Sequence, residues 1–335
     1  MLSGDFDKQK DDVDDDDDSA YDTALLQCCY IEDIPLVMWC CNHGVDVKMC
    51  TYSGLSPLMI ACKHGHTELV KILLDRKVDC NKCDSAGQSS VMKACEHGHT
   101  RIFMMLVDKG ADLNSCDSVG QSPLAKACKH GHTEIVKKLV DKGADFNTYD
   151  SCGQSPVMKA CEHGHTKIVK MLLDKGADYD KCDNDGESPL MKACKHGQSE
   201  IVKILLNKGA NYNKCDWMSK SHELKIMLAN RGADCNVSVR LNQSPLMYAF
   251  WYVHAEIVKI FLDRGADCNN SDSEGQSPIM MACEQGHKEI VKLLLERGAA
   301  YTYDRNGELP IIIACNHGHT EIVNMLLEIQ PDCKE

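Results

Sequence analysis

The chain lacks any apolar run that approaches the roughly 18 residues needed to cross a bilayer. It also lacks the basic start of a secretory signal, because residues 1–20 carry nine aspartates against Lys8 and Lys10. These absences predict an intracellular protein, cytoplasmic or also nuclear, without membrane insertion. Its 21 cysteines are expected to stay reduced there.

A basic stripe is also missing. The formal net charge is −13, of which residues 1–20 supply −7, so the rest of the chain carries only −6. This charge excludes phosphate-driven binding to nucleic acid. The run DDVDDDDD at 11–18 repels itself and buries no apolar area, which predicts a disordered acidic leader over 1–17.

Enzyme signatures are absent as well. The sequence contains no GxSxG, phosphate-binding loop, GxGxxG or HExxH pattern. We therefore predict no catalytic activity and no cofactor.

The sequence does contain a repeat. The segment 117–149, DSVGQSPLAKACKHGHTEIVKKLVDKGADFNTY, recurs along the chain at intervals equal to its own length. The same point in successive copies is marked by Pro57, Pro123, Pro156 and Pro189, and after one irregularity by Pro245, Pro278 and Pro310. A period of this length predicts stacked units that cannot bury their apolar faces alone.

Each copy predicts two helices. Ser122 is a helix N-cap and Pro123 suits the first helical position. One buried face of this first helix is formed by Leu124, Ala127 and Cys128.

Gly131 ends the first helix and Thr133 caps the second, which turns its apolar residues inward. Those residues are Ile135, Val136, Leu139 and Val140. The remainder, GADFNTYDSCG at 143–153, is rich in turn residues and predicts a hairpin-like finger between neighbouring units.

The patterns D-x-x-G-x-S-P-L, A-C-x-x-G-H, I-V-x-x-L-V and G-A-D-x-N together resemble the ankyrin repeat. The resemblance covers 51–213 and 239–335, with 18–50 as a degenerate first copy. It implies an all-α solenoid of helix-turn-helix units that binds partner proteins along a concave groove and its finger tips.

One departure from the family is regular. The usual histidine after Pro-Leu is replaced in most copies by methionine, and its contact near the preceding hydroxyl is expected to be missing. The methionines are Met59, Met92, Met158, Met191, Met247 and Met280.

The unit at 216–238 is irregular, with 23 residues instead of 33. Its end, HELKIMLANRGADCN, matches a second helix, while the first helix is missing. We expect two cooperative blocks, 18–215 and 239–335, joined by a weak or bent joint. An error in the gene prediction is the alternative explanation.

Histidines flank a turn glycine in five copies, with a cysteine two residues upstream, which gives the appearance of metal ligands. The pairs are His64/His66, His97/His99, His130/His132, His163/His165 and His317/His319. A metal needs three or four converging ligands, whereas these cysteines belong to the buried face. We therefore interpret the histidines as surface and turn residues, and keep a metal-binding or thiol-redox protein as a less favoured alternative.

The face opposite the buried one carries Lys126, Lys129 and His130, which predicts an exposed wall. One column of equivalent positions reads Lys63, Glu96, Lys129, Glu162, Lys195. The neighbouring column reads His64, His97, His130, His163, His196. Alternating charge suits a partner of mixed charge, and the histidines are solvated or make binding depend on pH.

The equivalent wall positions of the 239–271 unit are Tyr248, Trp251 and Tyr252, and Phe250 replaces the buried cysteine. Two hypotheses remain open. Either these aromatics anchor a partner, or they fill the space left by the missing helix.

We predict a scaffold or adaptor that binds one or more proteins of unknown identity. The alternative is a substrate-recognition subunit of a larger assembly such as a ubiquitin ligase, which would need a recruiting element.

Overall fold

A computed structural model describes residues 24–211, 249, 252, 254–269, 271 and 275–329. The acidic leader, the irregular unit 216–238, and the aromatic residues Tyr248, Phe250 and Trp251 lie outside the described residues. The chain divides into two compact units, Met1–Ser118 and Val119–Glu335. The described part of the first unit begins at residue 24, and the described part of the second unit ends at residue 329.

The first unit contains three helix pairs in its described part. They are α1 (Ala24–Tyr30) with α2 (Ile34–Asn42), α3 (Pro57–His64) with α4 (Thr67–Asp75), and α5 (Ser90–Glu96) with α6 (Thr100–Asp108). Within this unit α1 packs on α3, α3 packs on α5, and α4 packs on α6.

The second unit continues the same pattern. Its described helices are α7 (Pro123–Lys129), α8 (Thr133–Asp141), α9 (Pro156–Glu162), α10 (Thr166–Asp174), α11 (Pro189–Lys195), α12 (Ser199–Asn207), α13 (Ala255–Asp263), α14 (Pro278–Gln285), α15 (Lys288–Glu296), α16 (Pro310–Asn316) and α17 (Thr320–Ile329). The described residues contain no strand, and one isolated bridge joins Cys83 to Ser89. The chain is therefore an all-α repeat solenoid.

The start of the first helix follows the predicted pattern. The Ser122 Oγ accepts a hydrogen bond from the Ala125 N–H at 3.2 Å, and Pro123 is the first helical residue. The inward residues Leu124, Ala127 and Cys128 are fully buried. This agreement confirms the predicted core face of the first helix.

The start of the second helix differs from the prediction. Thr133 is the first residue of α8 rather than its cap, and His132 holds the N-cap position without a side-chain capping bond. The Thr133 hydroxyl instead donates to the Gly131 carbonyl at 3.4 Å. The cap position is used for contact with another repeat, as His165 shows: its Nε2 lies 2.9 Å from the Lys129 carbonyl.

The methionine that replaces the family's histidine takes over a capping role. The Met59 sulfur accepts from the Ser56 N–H at 3.5 Å, while the Ser56 hydroxyl accepts from the Met59 N–H at 3.2 Å. The same sulfur contact occurs at 3.4 Å in the pair Met191 and Ser188. Sulfur is a weak acceptor. The contact of the family's usual histidine was expected to be missing, and a weak hydrogen bond from the backbone N–H to the methionine sulfur takes its place.

Successive repeats are joined by the second histidine of each pair. The Nε2 of His66, His99 and His165 meets the carbonyl of a residue 36 positions earlier, at 3.0 Å for His99 and Lys63, and His319 makes the same contact over 35 positions. Because a carbonyl only accepts, the Nε2 atom must carry the proton.

The junction between α12 and α13 uses the same contact across a longer stretch of chain. The His254 Nε2 lies 3.2 Å from the Lys195 carbonyl, 59 positions earlier, which is 23 more than the usual 36. The excess equals the length of the irregular unit. The helices α12 and α13 therefore stack as neighbouring repeats.

A second contact, between Arg264 and Asn207, shows the same excess in sequence separation. Arg297 after α15 bonds Asp263, which lies 34 positions earlier at the end of α13. Arg264 after α13 bonds the Asn207 side chain at 2.6 Å, and these two residues lie 57 positions apart. The excess is again 23. The beginning and the end of α13 therefore both contact the preceding described repeat as in the regular part of the stack. The predicted weakness of this joint stays a prediction.

One lysine of the first helix is buried, which corrects an expectation. Lys126 is 6% exposed and its equivalent Lys192 is 5% exposed, so Lys126 does not belong to an exposed wall. The reason is visible at Lys192, whose Nζ lies 2.9 Å from the Asp183 carboxylate and also pairs with Glu187. Burial alone favours the neutral amine of Lys192, but attraction by the Glu187 and Asp183 carboxylates outweighs it and raises the pKa of Lys192.

We predict that deleting residues 216–238 leaves the stack intact. The deletion gives Pro189 and Pro245 the spacing that separates Pro156 from Pro189. Because α12 and α13 already touch, the free energy of unfolding should change by no more than about 1 kcal/mol, the scale of shortening a loop. Urea unfolding followed by circular dichroism measures the change.

The matched control removes a segment of the same length from inside the stack, residues 150–172, which contain α9. This deletion should unfold much of the second unit, because α7 and α11 both pack on α9. Equal damage from the two deletions would contradict direct stacking of α12 on α13.

We also predict that Lys192→Met lowers the free energy of unfolding by about 3–5 kcal/mol, because it leaves buried carboxylates without their cation. The control is Lys195→Met. Lys195 meets Glu187 at 3.3 Å but is one-third exposed, so its loss should cost at most about 1 kcal/mol. Urea unfolding of the intact chain compares them, and similar losses would show that the buried pair does not stabilise the finger.

Candidate functional site

The two predicted columns occupy different environments. The charged column is half-buried at each position: Lys63, Glu96, Lys129, Glu162 and Lys195. The histidine column is exposed at each position: His64, His97, His130, His163 and His196. Within each unit, these positions lie at the C-terminal ends of the first helices.

The exposed histidine is held by the end of its own helix. In the second unit, the His163 Nδ1 lies 2.9 Å from the Lys159 carbonyl, four residues earlier. His97 makes the same contact with Lys93 at 3.0 Å in the first unit. Since a carbonyl only accepts, Nδ1 carries the proton, and the Nε2 of the neutral ring is an acceptor.

Tyr252 occupies the position that a histidine holds in other repeats. Its ring stacks beside that of His254, with centroids 6.4 Å apart and an angle of 16°. The rings of His163 and His165 stand 6.2 Å apart at 10°. Tyr252 is 40% exposed, so it continues the exposed column of rings.

Stacking of α12 on α13 makes this column continuous in the second unit. We call one part of these columns the turn-edge surface, which consists of Lys129, Glu162, His163, Lys195, His196 and Tyr252. Tyr252 thus comes from the repeat directly after that of His196, although the whole irregular unit separates them in the sequence.

Some charged groups of this surface already have partners within the chain. The Lys195 ammonium pairs with the Glu187 carboxylate at 3.3 Å. The His196 Nε2 lies 3.9 Å from the Glu162 carboxylate. Burial lowers the pKa of His196 more than the Glu162 carboxylate raises it, and Lys195 lowers it further. His196 is therefore neutral at pH 7.

Most cysteines of the first helices are packed in the core, but Cys315 in α16 is exposed, which corrects the expectation that it belongs to the buried face. Across the described residues, no disulfide forms and no group of three or more His, Cys, Asp or Glu side chains could hold a metal. The buried positions are Cys62, Cys95, Cys128, Cys161, Cys194 and Cys283. Burial raises the pKa of Cys283 to about 12, which keeps its thiol protonated and unreactive. The finger thiols Cys83 and Cys116 are exposed and Cys182 is half-buried, while Cys215 lies outside the described residues.

In the described ranges, no helix combines the length and the apolar character that crossing a membrane requires.

The family model for ankyrin repeats in three copies matches residues 5–84, 76–150, 143–216 and 246–335. These matches span most of the chain, which therefore belongs to the ankyrin-repeat family. Ankyrin repeats are protein–protein interaction modules that typically act without catalysis.

Among solved structures, the chain is similar to the crystal structure of the human ASB11 ankyrin repeat domain. The two share 24% sequence identity with a TM-score of 0.61, over 74% of this chain and all of that domain. This likeness concerns the fold alone. The comparison with curated proteins gave no match.

We predict that His196 titrates below the ordinary histidine pKa of about 6.5. A lowered pKa means that the unfolded chain binds the proton more readily than the folded state. The stability that His196 contributes is therefore present above about pH 6.5 and is lost as the pH falls. Histidine side-chain NMR measures the pKa directly.

The variant Glu162→Gln should lower the pKa of His196 further, because it removes the nearby negative charge. Glu134→Gln on α8, whose carboxylate lies beside Lys138, is the matched control and should leave that pKa unchanged. A pKa of His196 at or above 6.5 in the native chain would contradict the account.

Proposed function

We propose that the chain is a binding scaffold that holds a partner protein against the turn-edge surface of its second unit. The observation that carries this proposal is the direct stacking of α13 on α12, through the His254 and Lys195 contact at 3.2 Å. It aligns three exposed rings, His163, His196 and Tyr252, on three successive repeats.

The surface combines features of a protein-binding site. Tyrosine is enriched among the residues that dominate interface energies, and Tyr252 stands exposed at one end of the column. The half-buried Lys129 and Glu162 have opposite charges, which favours a partner of mixed polarity. Lys129, Glu162 and Lys195 are the last residues of their helices, and His163 and His196 are C-cap residues, so the backbone of these five members is already ordered before binding.

The proposal predicts that the double variant His196→Ala and Tyr252→Ala weakens partner binding by about 10-fold or more. Affinity capture with the intact chain, followed by cross-linking and mass spectrometry, identifies proteins joined to this surface. Titration of a purified partner then measures the affinity for the native chain and the variant.

The control is Lys137→Ala with Lys170→Ala, which changes exposed residues of α8 and α10. It should keep both the affinity and the melting temperature. A partner that binds the native chain and both double variants equally well would place the binding site elsewhere and defeat the proposal.

A further inference from the structure

The negative charge of the Glu162 carboxylate is poorly balanced by the described residues around it. Glu162 is the last residue of α9, and its side chain is 27% exposed. Within the described part of the chain, its closest ionisable partner is the His196 Nε2 at 3.9 Å, beyond hydrogen-bond distance. A partly desolvated carboxylate favours a ligand that donates hydrogen bonds.

The neighbouring cations do not neutralise Glu162. Lys195 meets Glu187 at 3.3 Å, and Lys159 meets Asp150 at 3.1 Å. Lys129 belongs to the preceding repeat, and neighbouring helices stand about 8–10 Å apart. No ion pair joins Lys129 to Glu162 within the described residues.

The imidazole of His196 does not neutralise Glu162 either. His196 is neutral at pH 7, because burial lowers its pKa. His163 donates its Nδ1 proton to the Lys159 carbonyl at 2.9 Å, so its Nε2 offers a lone pair. Glu162 and His163 are therefore adjacent acceptors on one exposed edge, and a ligand for them must bring several donors.

We propose that Glu162 and His163 bind an arginine side chain carried by an extended segment of the partner. A guanidinium presents five N–H donors in a plane, so it can meet both carboxylate oxygens and still donate to an imidazole. A lysine ammonium offers one compact charge and fits this pair of acceptors less well. The chain's net charge of −13 also favours the approach of a cationic segment. The inference rests on the proposed function, since it assigns chemistry to one part of the turn-edge surface.

A random peptide library displayed on phage and selected against the intact chain tests the proposal. Selected peptides should contain arginine at a common position. A synthetic peptide from the selection should lose about 10-fold or more in affinity when Glu162 is changed to Gln, the scale of a charge-assisted hydrogen bond. Replacing its arginine by lysine should weaken binding to the native chain, and the matched variant Glu134→Gln should bind normally.

The outcomes separate this inference from the proposed function. Selected peptides without arginine, or arginine peptides that bind Glu162→Gln as tightly as the native chain, overturn the arginine site. If those peptides still lose affinity with the His196 and Tyr252 double variant, the turn-edge surface stands and only the arginine site falls. Peptides that are insensitive to all of these variants overturn both.

Discussion

The hydrogen bond between a turn histidine and the carbonyl one repeat earlier joins most neighbouring repeats in the described residues, with Gln198 at the equivalent position of the α11 and α12 repeat. The Nε2 of His165 lies 2.9 Å from the Lys129 carbonyl, and its ring covers the preceding turn. That turn must contain glycine. Gly131 has a φ of +79°, and a Cβ added there would lie 2.5 Å from the His165 ring. Glycine at the turn and histidine one repeat later therefore form a matched pair that fixes how closely repeats approach.

The same contact decides which repeats are neighbours. His254 reaches Lys195 across the irregular unit, and Arg264 reaches Asn207 with the same excess separation. The exposed column then continues from His196 to Tyr252 without an intervening repeat. The proposed binding surface depends on this contact. Side chains that are distant in the sequence form one surface because the contact places their repeats side by side.

The repeat pattern predicts much of this fold. A regular period, with Ser122 and Pro123 before an apolar face, is enough to predict the first helices and most of their buried cysteines, although Cys315 is exposed. The exposed face was harder to predict, because Lys126 shares the helical face of Lys129 and yet is buried. A constant spacing between lysine and aspartate indicates that this lysine is paired. The same number of positions separates Lys192 from Asp183 and Lys159 from Asp150. The junction was not predictable from periodicity, because a short unit at 216–238 with a matching second helix resembles a member of the stack. Only contacts between its flanking repeats reveal the register.

The distance between α10 and α13 tests the central claim most directly. Bio-orthogonal spin labels at positions 170 and 259, compared with labels at 137 and 203, measure it by pulsed electron resonance. These four lysines are equivalent positions on second helices. Direct stacking predicts that both pairs are two repeats apart, with matching distances of about 16–20 Å, since each repeat adds about 8–10 Å. A distance for 170 and 259 that is longer than the other by one further repeat would place the irregular unit inside the stack and contradict the account.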